Sequence, residues 1–122
     1  MRKAGWHIVT FGLILLVQGT QADWGAARRI SNTSGYSRDP AIAANTSGVY
    51  VVWSDNTPGN FEIYARQSRD SGATWSAVQR LTWNTGSSAL SAASIDPSGN
   101  LHVVWSDNTP GNMEIYYRKF SL

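Results

Sequence analysis

The chain has 122 residues, of which 42% are hydrophobic and 15% charged, with a formal net charge of +2 and no cysteine. The lack of cysteine excludes disulfides, a thiol nucleophile, a Cys-ligated zinc site and a lipid anchor on cysteine within these residues. A net charge so close to zero gives no electrostatic argument for a nucleic-acid partner or an anionic membrane.

The first segment has the features of an export signal. Arg2 and Lys3 precede an apolar run from Ile8 to Val17, and Thr20-Gln21-Ala22 fits a cleavage site of small residues. We therefore predict a signal peptide over residues 1–22 and a secreted or periplasmic mature chain. The apolar run is about half of the roughly 20 residues that a transmembrane helix needs, so we expect no membrane association after cleavage. An uncleaved anchor is the alternative.

An internal repeat organises the remaining residues, 23–122. Residues 51–66 return 52 positions later as residues 103–118, with 14 of 16 positions identical. A weaker match with an offset of 51 relates residues 24–31 to residues 75–82. A period of 51–52 residues is typical of stacked-repeat proteins and propellers.

Each repeat is predicted to form four short strands. Apolar and polar residues alternate with period two around Trp53 and Trp105, and the turn sequence Thr-Pro-Gly-Asn follows both segments. The predicted strands are residues 26–31, 40–44, 49–54 and 62–67, and then 77–82, 92–95, 101–106 and 114–120. We therefore predict an all-β fold of two four-stranded antiparallel units with a core built around the five tryptophans of the mature chain.

One turn is more specific than the strand pattern. Ser68, Asp70, Gly72, Thr74 and Trp75 fit the pattern Ser-x-Asp-x-Gly-x-Thr-Trp. In such a turn the Asp can accept hydrogen bonds from turn amides, the Gly adopts a conformation costly for other residues, and the Trp packs into the sheet. In this turn and in its repeat of 51–52 residues, the chain resembles the sialidase-like, Asp-box (bacterial neuraminidase repeat) β-propellers. The resemblance implies that residues 23–122 form two blades, with the turn joining the third and fourth strands of a blade.

The catalytic features of that family are missing. A sialidase of this family carries an arginine triad for the substrate carboxylate, a Tyr–Glu nucleophilic pair, an Asp acid/base and usually an Arg-Ile-Pro motif. Here Arg29-Ile30 is followed by Ser31. We therefore predict no catalytic residue, no metal and no cofactor. The alternative is an exo-alpha-sialidase, either as a fragment or active only when assembled.

A stripe of sialidase-type residues occurs twice. Glu62, Tyr64 and Arg66 alternate onto one side of a strand, and the same residue types recur 52 positions later. Because a catalytic site needs one asymmetric constellation, we interpret both stripes as cross-strand scaffold pairs. The candidate ligand contacts are Tyr64, Arg66, Tyr116 and Arg118.

Two other sets of residues have alternative interpretations. His102 is the only histidine outside the signal, and we expect a strand-face role rather than a general base. Asp55 and Asp107, each followed by Asn, could supply oxygens to calcium, but no EF-type spacing is present and an Asx-type turn is expected.

The strand order suggests how the chain assembles. Asp23 and Trp24 align with Thr74 and Trp75, so the predicted order is fourth, first, second, third, twice over. In one hypothesis the first strand completes a unit of a neighbouring copy, and three copies form a six-bladed ring. In the other, the chain is a piece of a longer propeller. We predict an exported, non-catalytic interaction or glycan-binding module whose partner is itself or a glycan; a purely structural surface protein is a further alternative.

Overall fold

The structure is a computed structural model that describes residues 23–121, so the predicted signal peptide lies outside the described residues. Residues 23–121 form seven β strands and no helix, and therefore contain no helix long and apolar enough to cross a membrane. The strands are β1 (Ser37–Asn45), β2 (Gly48–Asp55), β3 (Glu62–Ser68), β4 (Gln79–Arg80), β5 (Ser88–Ile95), β6 (Leu101–Asp107) and β7 (Glu114–Phe120). The predicted all-β class is confirmed.

The strands form two antiparallel sheets with simple up-and-down connections. The first sheet has the order β1-β2-β3-β4 and the second has the order β5-β6-β7. Both sheets contain the same irregularity, a register shift between Arg38 and Ala41 in β1 and between Ala89 and Ala92 in β5. A residue with positive φ lies inside each shift, Asp39 at 51° and Leu90 at 55°. The sequence repeat is therefore also a repeat of local backbone geometry.

The prediction of four strands per unit is wrong for the second sheet, which has three among the described residues. Residues 26–31 form no strand, and the predicted strand 77–82 is reduced to Gln79–Arg80, which pairs with Tyr64 and Ala65 of β3. A strand needs a neighbouring edge for its backbone N–H and C=O groups. Segment 77–82 finds that edge on β3, whereas segment 26–31 has no such edge beside it in the described chain.

Each sheet has two distinct faces, which we name by one residue of each. Directly opposed residues in adjacent strands share a face. The tryptophan face carries Val51, Trp53 and Tyr64 in the first sheet and Val103, Trp105 and Tyr116 in the second. The isoleucine face carries Val52, Ile63 and Ala65 in the first sheet and Val104, Ile115 and Tyr117 in the second.

The core lies between the two sheets. The isoleucine face of the first sheet packs on the tryptophan face of the second, so the sheets stack in the same direction rather than as mirror partners. The core cluster joins Tyr50, Val52, Ile63 and Ala65 to Leu101, Val103 and Trp105. Full burial of an Ile or Val side chain stabilises the fold by about 1.5–3 kcal/mol. This packing leaves one tryptophan face and one isoleucine face without a partner sheet among the described residues.

The core is not built around all five tryptophans. Trp53 and Trp105 are buried, but Trp83 is 66% exposed and Trp24 is 93% exposed. Trp24 aligns with Trp75, whose ring nitrogen donates to the carbonyl of Gly72 at 3.2 Å. At the offset of 51, the turn residues 68–74 correspond to residues 17–23, and of these only Asp23 lies within the described residues. Period-two alternation correctly predicts that Trp53 and Trp105 lie in strands with Val51 and Val103 on the same face. It gives no information on the burial of a tryptophan in a loop.

Candidate functional site

The turn from Ser68 to Trp75 connects β3 to β4 and is held by its own side chains. The hydroxyl of Ser68 donates to Asp70 Oδ1 at 2.8 Å and accepts the backbone amide of Gly72 at 2.8 Å. The backbone amide of Thr74 donates to Asp70 Oδ1 at 2.7 Å, and the Thr74 hydroxyl donates to Oδ2 at 2.5 Å. Gly72 has φ +87°, a conformation that strains other residues. The turn thus uses both oxygens of its carboxylate internally.

These hydrogen bonds change the acidity of Asp70. The Thr74 hydroxyl, the Thr74 amide and the Ser68 hydroxyl together lower the pKa of Asp70 from 3.8 to about 2. All three donors bind the ionised form, so they favour the carboxylate. A carboxylate held in this way is a poor proton donor at neutral pH. The geometry therefore gives Asp70 a structural role in the turn.

Asp55 and Asp107 hold equivalent positions at the ends of β2 and β6. Asp55 Oδ2 accepts the Ser37 hydroxyl at 2.7 Å, and Asp107 Oδ2 accepts the Ser88 hydroxyl at 2.6 Å. The other oxygen of each accepts the backbone amide two residues later at 2.8 Å, from Thr57 in the first case. Burial raises the pKa of each carboxyl, but the hydrogen bonds outweigh it and lower both to about 2. Both aspartates act as turn anchors between consecutive segments.

The candidate ligand contacts lie in two places rather than one. Tyr64 stacks on Trp53 with ring centroids 6.2 Å apart, on the tryptophan face of the first sheet. Tyr116 stacks on Trp105 at 6.0 Å, on the tryptophan face of the second sheet. The first sheet stands between these two faces, so Tyr64 and Arg66 do not converge with Tyr116 and Arg118.

The two arginines of these pairs make the same contact in both repeats. Arg66 Nη1 donates to the carbonyl of Ile30 at 2.8 Å, and Arg118 Nη1 donates to the carbonyl of Leu81 at 3.2 Å. Ile30 and Leu81 are themselves 51 residues apart. The segment around Ile30 therefore lies against the first sheet as the segment around Leu81 lies against the second. Each guanidinium ties a strand to a neighbouring segment.

Glu62, which the alternation pattern places in a strand stripe, is the centre of a buried polar cluster that the pattern does not reveal. Glu62 is fully buried, and its Oε1 lies 3.1 Å from Arg80 Nη2. The same oxygen accepts the backbone amide of Asn84 at 2.8 Å and the side-chain amide of Asn60 at 3.0 Å. Oε2 accepts the hydroxyl of Thr82. The cluster fastens β3 to β4 and to the segment that leads into the second sheet.

The repeat counterpart of Glu62 lacks this cluster. Glu114 is exposed and accepts a hydrogen bond from Asn112, but it forms no ion pair within residues 23–121. Arg29 corresponds to Arg80 at an offset of 51. Its guanidinium donates to the side chain of Asn32 at 2.5 Å, and no carboxylate of the described chain pairs with it. Because Asn112 and Arg29 repeat the residue types of Asn60 and Arg80, the sequence carries no local signal that separates the two glutamates.

His102 lies on the isoleucine face of the second sheet between two polar groups. Its Nε2 is 3.0 Å from Asp96 Oδ2 and its Nδ1 is 2.9 Å from the hydroxyl of Tyr117. Hydrogen bonds from the side chain of Asn100 and then from His102 hold the pKa of Asp96 well below its usual range. These contacts link the turn after β5, which holds Asp96, to β6 and β7.

A groove of about 280 Å³ runs along the tryptophan face of the first sheet. Its walls include Arg29, Ile30 and Ser31 on one side and Val51 and Trp53 on the other. This volume is slightly below the roughly 300–1,000 Å³ of typical ligand pockets.

Within residues 23–121, no three His, Asp or Glu side chains group in a way that could hold a metal ion.

Comparison with known proteins adds no further identification. No protein-family description, curated protein or solved structure matches the chain. What the fold and the site define is an all-β repeat protein of two stacked antiparallel sheets.

Proposed function

We propose that the chain is an exported, non-catalytic interaction module of the sialidase-like, Asp-box β-propeller class, with one blade per sheet. Three features support the class: an up-and-down four-stranded sheet, an Asp-anchored turn between its third and fourth strands, and sheets that stack in one direction. Propeller blades also pack face to face around an axis.

The observation that carries the non-catalytic assignment is the repeated arginine contact. Arg66 and Arg118 each donate to a backbone carbonyl of a neighbouring segment, at repeat-equivalent positions and on different sheets. A sialidase would instead direct several arginines at one substrate carboxylate. Residues that repeat the same structural contact in two places serve the scaffold. The alternative function remains an exo-alpha-sialidase.

A fluorogenic sialoside tests this assignment. We expect the purified full chain to release no fluorescence above that of the same chain unfolded by heat. The matched variants are Tyr64→Phe and Tyr116→Phe, which occupy the same position of the two repeats. Turnover that is lost in one variant and kept in the other would reveal a single asymmetric catalytic site and contradict the proposal.

Glycan binding is a second candidate function, favoured by one exposed aromatic side chain. Trp83 is 66% exposed, and the guanidinium of Arg80 lies 5.5 Å from its ring centroid. An exposed indole beside a fixed cation offers a flat apolar surface with a polar rim, on which a sugar ring can stack. We expect Trp83→Ala to abolish binding on a glycan array, with Trp24→Ala, which removes an indole that is 93% exposed, as control. Equal loss in both variants, or none in either, would contradict a site at Trp83.

A further inference from the structure

The isoleucine face of the second sheet contains the residues of a core without its cover. Ile63 in the first sheet is 0% exposed, whereas its counterpart Ile115 is 75% exposed. Val52 is likewise 0% exposed and its counterpart Val104 is 39% exposed. Ile63 and Val52 recur as the same residue types, and among the described residues a sheet packs on the first face and none on the second. The second face differs in carrying Tyr117 and His102 where the first carries Ala65 and Tyr50. An exposed apolar sheet face of this kind is typical of an interaction surface.

The groove on the tryptophan face of the first sheet is the matching surface. Its wall residues Ile30, Val51 and Trp53 correspond to Leu81, Val103 and Trp105 of the second sheet. Those three counterparts are buried in the core, because the isoleucine face of the first sheet closes over them. The contact between the two sheets of one chain is therefore a template for a contact between this groove and the isoleucine face of another second sheet.

The strand edges fit the same contact. β3 pairs with β4 on its outer edge, but β7 pairs only with β6 in the described chain. The counterpart of β4 is residues 28–29, which form no strand. Arg29 Nε donates to the carbonyl of Ser31 at 2.8 Å, just as Arg80 Nε donates to the carbonyl of Thr82 at 2.7 Å. Segment 28–31 thus shares a local hydrogen bond with the segment that completes the first sheet.

Charge complementarity selects the partner of this segment. Arg80 pairs with Glu62 across β4 and β3. The corresponding residues Arg29 and Glu114 carry opposite charges, and neither forms an ion pair with the other or with another residue in residues 23–121. An exposed strand edge is also a ready template for an added strand.

We propose that segment 28–31 of one copy adds to the outer edge of β7 in a second copy, with Arg29 paired to Glu114. The isoleucine face of the second copy then closes on the tryptophan face of the first. This contact is head-to-tail, so it repeats from one copy to the next and forms a ring where the rotation closes. Three copies, the number expected from the propeller resemblance, give a ring of six sheets. The inference rests on the proposed function, because it names a second copy of the chain as the partner of the interaction module.

Charge reversal tests the pairing. The mass of the purified full chain is measured by light scattering after size exclusion, over a dilution series, and compared with the protomer mass from mass spectrometry. We expect a discrete assembly of three protomers. Arg29→Glu and Glu114→Arg should each weaken association by roughly tenfold or more, because each places like charges across the contact. The double variant R29E/E114R restores opposite charges and should restore the assembly.

The control is Arg69→Glu, which reverses an exposed arginine in the turn after β3 that belongs neither to the groove nor to β7, and should leave the mass unchanged. Circular dichroism shows whether each variant remains folded, and a variant that unfolds is replaced by Glu114→Gln, for which we expect a smaller loss of association. A folded wild-type chain that stays monomeric, or a double variant no better than the single ones, would overturn the inference. A monomer that still leaves the sialoside intact would overturn self-association alone and leave the non-catalytic function standing.

Discussion

At the scale of single residues, three aspartates are held in turns and at strand ends by hydrogen bonds to their carboxylates. Asp55, Asp70 and Asp107 each accept several hydrogen bonds, and each has a pKa lowered to about 2. Their donors are short side chains and backbone amides nearby in the fold, so the carboxylates fix loop geometry. These aspartates are the natural place to test whether the turns form as described.

Substitution of Asp70 should destabilise the turn in a pH-dependent way. The pKa of Asp70 is about 2 in the folded chain, below its ordinary 3.8. Ionised Asp70 therefore stabilises the folded state above pH 3.8, and this contribution is lost as the pH falls toward 2. We expect Asp70→Ala to lower the melting temperature at pH 7, and the deficit to shrink as the pH falls from 3.8 to 2.

Asp23→Ala serves as the control, since the Asp23 carboxylate is exposed and accepts no hydrogen bond within the described chain. Its melting temperature should equal that of the wild type at both pH values. A deficit in Asp70→Ala that persists unchanged at pH 2 would show that the hydrogen bonds to the carboxylate are not its cause.

The repeat supplies a matched pair of core substitutions. Ile63 is fully buried between the sheets and Ile115 is 75% exposed. We expect Ile63→Ala to cost about 2–5 kcal/mol of unfolding free energy and Ile115→Ala less than about 1 kcal/mol. Both are measured by urea unfolding at a concentration at which the chain elutes as a single protomer. Equal costs would mean that the two isoleucine faces are covered alike.

At the scale of elements, the same local geometry forms wherever the repeat occurs. Gly35 and Gly86 precede β1 and β5, and a Cβ added at either would lie 2.5 Å from the backbone amide nitrogen of Thr57 or Thr109. Each glycine thus lets the incoming segment lie directly on the loop that follows β2 or β6. The contact sets where the first strand of each sheet begins.

Adding a side chain at this point should disturb the sheet. We expect Gly86→Ala to cost about 1–3 kcal/mol of unfolding free energy, because backbone atoms rather than a flexible side chain occupy the space. The matched variant is Gly25→Ala, where a Cβ would meet nothing within 4 Å. Thermal unfolding followed by circular dichroism compares the two, and a Gly86→Ala chain as stable as Gly25→Ala would contradict the close approach.

Much of this element pattern follows from the sequence alone. Alternation around Trp53 and Trp105 predicts β2 and β6, and the turn residues place β3 and β7 correctly. The fate of residues 26–31 could not be predicted, because strand formation depends on an available edge and not on local composition. For the same reason, nothing local distinguishes Glu62 in its buried cluster from Glu114 in solvent.

At the scale of the whole molecule, two sheets stacked in one direction leave complementary surfaces at the two ends of the stack. One end exposes the isoleucine face and the outer edge of β7, and the other exposes the groove beside segment 28–31. A second copy of the chain carries the surface that each end lacks. The unpaired strand segment, the unpaired charges and the exposed apolar face therefore all take part in one proposed contact.

The most direct test of this contact is a designed disulfide between copies. Ala65 and Gln79 are paired across β3 and β4, and their counterparts are Tyr117 and Arg28. The chain has no native cysteine, so Arg28→Cys/Tyr117→Cys introduces the only thiols. We predict that mild oxidation links copies in high yield into a covalent species of three protomers on a non-reducing gel. A yield no higher than that of the mismatched variant Arg69→Cys/Tyr117→Cys would contradict the account.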